Sequence, residues 1–215
     1  MENYNNIIII SADRNGSTAF QKSIFKIHQN QDDQHVWLGE CFSNDKGKGL
    51  PNSWYDKSLK PKDVIEHFNK GVGKGVYLKI QITWPNFNYD YFDIPAKRRI
   101  FLHRNLFDST LSRCVAQLTG QWFTYDHTNT ITEPIEINEK FFRSRLEWRI
   151  EKYMLYLDSI CKWKNEFYLY DTHDFSNVTD MKKNQNRKDI VKNFDYLKKV
   201  FEEYTEIDKI ESCLN

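Results

Sequence analysis

The stretch NIIIISADRNGSTAFQKSIF, Asn6 to Phe25, passes from an apolar run through a glycine turn into helical spacing. Ile7 to Ile10 are four consecutive β-branched residues, a run suited to a strand buried on both faces. The polar segment Ser11-Ala12-Asp13-Arg14-Asn15 follows and ends at Gly16. Ser17-Thr18 can cap a helix whose Phe20, Ile24 and Ile27 recur at helical spacing. Backbone N–H groups at such a helix start are unpaired, the helix dipole favours negative charge, and Gly16 lets a phosphate approach the main chain. The hydroxyls of Ser17 and Thr18 add donors, and Arg14 adds a permanent positive charge. These residues predict a phosphate-binding loop. An ordinary βα turn with a capping serine fits them equally, so a second site has to decide.

The 215 residues suit one domain, 1–215, long enough to bury a core without staples. A formal net charge of +1 gives no global electrostatic case for nucleic acid or an anionic membrane, so phosphate recognition must be local. Cys41, Cys114, Cys161 and Cys213 are widely spaced, with no CxxC pair, and read as reduced thiols of a cytosol-like compartment. No stretch approaches the ~20 apolar residues of a membrane span, and the isoleucine run is too short for a signal-peptide core. A cytoplasmic, soluble protein is expected. His28 and His35 have no partner at metal-ligand spacing and read as surface or satisfied histidines.

Beyond the first helix, HVWLGECF is a short apolar segment, and Asn44 to Pro51 a Gly/Lys-rich loop. Pro61 opens a short helix to Asn69. Gly71, Gly73 and Gly75 run into a strand, Val76 to Ile82, which is the wrong order for a nucleotide loop. Trp84 to Pro95 is aromatic, irregular and suited to lining a cleft. Arg99 to His103 reads as a strand leading into a helix striped by Phe107, Leu111, Val115 and Leu118, capped by Asp108 or Asn105. A long helix spans Asn138 to Trp163, with Arg143, Arg145 and Arg149 read as a solvated face. A last strand, Phe167 to Tyr170, ends at Asp171; the basic loop with Lys182, Lys183 and Arg187 follows, then a terminal helix from Asp189 to Tyr204. Alternating strands and helices predict a three-layer α/β fold: a mainly parallel sheet of about four to five strands, helices on both faces. Ligands of such sheets bind at the carboxyl ends of the strands, where the Arg14 loop falls.

A second strand-end constellation follows IFLH. Arg104 closes that strand, and Ser112 lies two helical turns further on. A guanidinium fork and a hydroxyl so placed can clasp one phosphate. With the first loop, the pair points to a ligand with two separated phosphate groups.

Together these motifs resemble the sulfotransferase family, whose donor is 3′-phosphoadenosine 5′-phosphosulfate. Arg14-Asn15-Gly16-Ser17-Thr18, after a strand and before a helix, is similar to the family's first signature. Arg104-Asn105-Leu106-Phe107-Asp108 through Ser112 is similar to its second, with Leu106 where a proline is usual. YLYDTHDF, Tyr168 to Phe175, loosely resembles a late family strand. The resemblance implies a P-loop-like fold, with the 5′-phosphosulfate on Arg14, Asn15, Gly16, Ser17 and Thr18 and the 3′-phosphate on Arg104 and Ser112. Arg14 would stabilise charge on the bridging oxygen as the S–O bond breaks. The product would be adenosine 3′,5′-bisphosphate, and the scheme requires no metal.

Cytosolic members take their base from a histidine two residues after a strand lysine. Here that lysine is Lys79, and Gln81 stands at the histidine position, so this base is missing. Bacterial and Golgi carbohydrate-type members place a glutamate in a context similar to Leu38-Gly39-Glu40-Cys41-Phe42. Glu40 is therefore the candidate base, acting on a small-molecule or carbohydrate-like acceptor hydroxyl; an exposed loop carboxylate is the alternative reading. Two other classes compete. A P-loop kinase needs GxxxxGK[ST], but Ser11 stands at its first glycine and Ser17 at its lysine. A non-catalytic glycan- or nucleotide-binding module would use Trp84, Trp122 and Tyr125 for stacking. Loop composition does not name the acceptor.

Overall fold

The isoleucine run becomes the middle strand of a parallel sheet whose strand order is β2-β3-β1-β4-β5. The strands are β1 (Ile7–Ser11), β2 (His35–Gly39), β3 (Gly75–Gln81), β4 (Arg98–His103) and β5 (Glu166–Leu169). The structure is a computed structural model describing residues 6–17, 19–21, 23–24, 35–39, 66, 75–83, 87–120, 131–163, 166–174 and 186–214. The expected helix at 61–69, apart from residue 66, lies outside the described residues, as do Glu40, Thr18, Trp84, Trp122, Tyr125, Lys182 and Lys183.

β1 is buried throughout, and its side chains divide between two cores. Ile8 and Ile10 join Leu78, Ile80 and Phe101 under the long helices. Ile7 and Ile9 join Ile100 and Leu102 against Phe20 and Ile24 of the helix that begins at Ser17. A fully buried isoleucine is worth about 1.5–3 kcal/mol, so the run has a strong preference for the centre of the sheet. Helices thus cover both faces, as a three-layer α/β fold requires.

Beyond β4 the α-helices among the described residues are α1 (Leu106–Thr119), α2 (Glu139–Trp163), α3 (Arg187–Ile190), α4 (Phe194–Phe201) and α5 (Glu206–Leu214). Asn105 caps α1, its Oδ1 accepting from the Asp108 N–H at 3.1 Å, and Gly120 ends it in the left-handed region. Of the two caps the sequence allowed, Asn105 is the one used. β1 and β4 are neighbours, yet the helices that follow them lie on opposite faces. That divergence opens a crevice at their carboxyl ends.

Four expectations need correction. The expected terminal helix, Asp189 to Tyr204, is broken into α3 and α4, because residues 191–193 pair with 135–137 instead of coiling, and α5 follows beyond it. The Lys192 N–H donates to the Ile135 carbonyl at 2.8 Å, and the Asn193 amide exchanges bonds with the main chain of Ile137. The cysteines are not all reduced: Cys161 and Cys213 form a disulfide, Cα–Cα 6.2 Å, between the ends of α2 and α5. They stand 52 residues apart, which is why spacing alone hid them. Arg149 is not solvated but wholly buried. Finally, within the aromatic stretch expected to line a cleft, Phe87 and Tyr91 are buried and Phe92 is partly buried. They stack on one another and on Tyr156 of α2, building core. Among the described residues no helix is long and apolar enough to cross a membrane.

Candidate functional site

The two sequence constellations meet in the crevice between β1 and β4. Arg14 Nε donates to Ser112 Oγ at 3.2 Å, and Arg187 Nη2 of α3 donates to the same oxygen at 3.3 Å. A serine hydroxyl accepts twice and donates once, so these two bonds occupy its lone pairs and leave its hydrogen to donate. Arg104 lies beside them, 5.3 Å above the Tyr170 ring and 3.4 Å from an Asp171 carboxylate oxygen. Sequence reading predicted two separated phosphate clasps. Arg14 and Ser112, assigned there to different phosphates, are in direct contact.

The loop itself is shaped by its backbone. Arg14 takes φ 60° and Gly16 φ 72°, both in the left-handed region. For glycine that region carries no penalty; for Arg14 it requires support from neighbours. The helix begins at once, the Phe20 N–H bonding to the Gly16 carbonyl at 3.0 Å. A β-carbon on Gly16 would run into the Tyr170 ring, so that side of the glycine meets an aromatic ring of the chain itself. Ser17 is buried at the helix start. The Asn15 side chain is buried too, its amide donating to the Leu102 carbonyl at 3.3 Å and the Tyr153 hydroxyl at 3.2 Å. With both amide hydrogens spent on the core, Asn15 can donate to a ligand only through its main-chain N–H.

Electrostatics favour an anion here. Burial pulls the Arg14 pKa down; Asp13 opposes this, and Arg104, Arg149 and Arg113 add to the fall. Burial, then Arg104 and Arg14, bring Arg187 down to about 10. Both remain charged at neutral pH, but each is held among like charges in a desolvated place. Asp108, the nearest balancing carboxylate on α1, has its pKa raised by burial against the pull of Arg104. A phosphate or sulfate placed there would offset the lowering of Arg14 and Arg187, while pushing the Asp108 carboxyl higher still.

Arg187 and Arg149 are the site residues that sequence reading missed. Arg187 was visible only as part of a basic loop, and Arg149 only as one of several helix arginines. Their partners, Ser112 and Asp13, lie 75 and 136 residues away. His103 is buried at the end of β4, and burial, partly opposed by Asp171, lowers its pKa, so it is neutral at pH 7. Lys79 is buried on β3 and Gln81 ends that strand beside Ser11. No cluster of three or more metal-ligating side chains occurs among the described residues. A scan against models of known protein families and a search of curated proteins find no match to this chain.

Proposed function

We propose that this chain is a P-loop-like sulfotransferase, moving a sulfuryl group from 3′-phosphoadenosine 5′-phosphosulfate to an acceptor hydroxyl. One observation carries the reading: Arg14 from the β1 loop and Arg187 share the hydroxyl of Ser112, beside Arg104. A cationic set drawn from both strand ends suits a ligand that is anionic at more than one position. In this reading the loop from Arg14 to Thr18 takes the 5′-phosphosulfate, and Arg104, Ser112 and Arg187 take the 3′-phosphate. Arg14 stabilises the charge that gathers on the bridging oxygen as the S–O bond breaks. Glu40 accepts the acceptor's proton, and the Glu40→Gln variant then loses roughly 10²–10⁴-fold in turnover with nucleotide affinity unchanged. The acceptor class proposed is a carbohydrate-like hydroxyl.

The direct Arg14–Ser112 bond favours a second reading, in which both clasps close on a single phosphate and the chain binds a nucleotide without transferring anything. Calorimetry separates the two. The sulfotransferase reading expects adenosine 3′,5′-bisphosphate to bind more tightly than the 5′-monophosphate by about 1.5–3 kcal/mol, the value of a charge-assisted contact. Equal affinities would leave only the second reading standing.

A further inference from the structure

Asp13 immediately precedes Arg14, and every hydrogen-bonding group it owns is taken. Its N–H donates to Thr83 Oγ1 at 3.1 Å, just past the end of β3. Its carbonyl accepts from Arg149 Nη1 at 3.0 Å, and one carboxylate oxygen accepts from Arg149 Nη2 at 3.0 Å. The other carboxylate oxygen accepts from Arg113 Nη1 of α1. Arg113 is itself held over the Trp148 ring at 4.3 Å, and Arg149 bonds across to the Ser109 carbonyl at 3.4 Å. The Arg149 side chain is 0% exposed and that of Asp13 13%. β3, α1 and α2 therefore converge on one residue of the loop.

The residue they fix stands one peptide before a non-glycine in the left-handed region. An arginine does not hold φ 60° on its own; that conformation is disfavoured and persists where the surroundings impose it. Asp13 also balances Arg113 and Arg149, which would otherwise add two cations to the crowd around Arg14.

We propose that Asp13, clamped by Arg149, Arg113 and Thr83, is the positioning residue of the anion site, setting the backbone of Arg14 so that its guanidinium reaches Ser112. The inference rests on the reading of that crevice as an anion site. It assigns Asp13 no contact with a ligand; the residue acts through Arg14.

Two variants test it. Asp13→Asn keeps the shape and removes the charge, but strands the buried Arg149. Thr83→Val only releases the Asp13 N–H, and so preserves a folded comparison. The ¹⁵Nε–H resonance of Arg14 reports its bond to Ser112 without any ligand. It is expected to shift and exchange faster in both variants, and affinity for adenosine 3′,5′-bisphosphate to fall about tenfold or more in Asp13→Asn, since misplacement near 1 Å is costly. In an Arg14→Ala background neither change should weaken binding further, because the route through Arg14 is already cut. An unchanged Arg14 resonance in the folded variants overturns the proposal, as does a loss that adds to that of Arg14→Ala. A shifted resonance with unchanged affinity instead upholds the positioning role and overturns the anion-site reading.

Discussion

The ring of Tyr170 lies against the α-carbon of Gly16, occupying the position where any other residue would carry its β-carbon. The glycine is therefore required twice, by its φ of 72° and by the ring. Tyr170 opens the turn after β5, so the loop after the middle strand is braced by the turn that follows an edge strand. Gly16→Ala should cost about 2–4 kcal/mol, combining backbone strain with overpacking. Urea unfolding checks this. Tyr170→Ala in the same chain should recover only the steric part, and complete recovery would mean that the backbone conformation is not strained.

Ser112→Ala removes the acceptor that Arg14 and Arg187 share. Both guanidiniums then lose a fixed partner, and the hydroxyl that would donate to an anion is gone. Affinity for adenosine 3′,5′-bisphosphate should fall by about 1.5–3 kcal/mol, with Arg187→Ala giving a loss of similar size. Calorimetry at constant ionic strength is the appropriate measurement. Unchanged binding in Ser112→Ala would remove Ser112 from the site.

His103 and His173 both have pKa values lowered chiefly by burial, from a usual value near 6.5. Unfolding therefore takes up protons in the window below 6.5, because the unfolded histidines bind them more readily. Stability present above pH 6.5 should be lost as the pH falls towards the lower folded values. The carboxylate that Arg98 holds low, Glu166, begins to contribute only further down. Unfolding free energies at pH 7.5 and 5.5 should show the drop, and His103→Gln should make it smaller. A flat profile between those pH values would show that these rings are solvated.

The disulfide closes a loop containing β5, the Tyr170 turn and Arg187. In the chain-entropy picture, closing a loop of 52 residues is worth roughly 4 kcal/mol. Cys161→Ser should lower the unfolding free energy by up to that amount. Cys114 differs: it is buried, and burial pushes its thiol up to about 12, so alkylation mapped by mass should find it only after unfolding.

How much of this was legible in the sequence depended on reach along the chain. Ile7–Ile10 announced a strand covered on both faces, because local branching and an unbroken apolar run bear directly on burial. Phe107, Leu111 and Val115 of the α1 stripe were readable for the same reason, although Leu118 proves exposed, and Asn105 was one of the two caps the sequence allowed. Arg149 was not, since nothing near it on α2 tells a solvated arginine from one buried against a carboxylate far upstream. The Cys161–Cys213 link and the break after Ile190 were hidden likewise, each set by a partner more than 50 residues away. At the site, Arg14, Arg104 and Ser112 were found as types in a pattern. Their convergence was not, because the pattern holds no information on how far apart two strand ends lie.

Arg187 joins Ser112 from 75 residues downstream, on a short helix next to the pairing of Val191 with Ile135. Chains are made from the amino terminus, and their segments organise in that order where they can. A growing polypeptide that has already laid β1 beside β4 still lacks this third guanidinium. The arginine set around Ser112 is thus complete only once Arg187 has been made, and a nascent chain that stops short of it carries the loop without its third guanidinium.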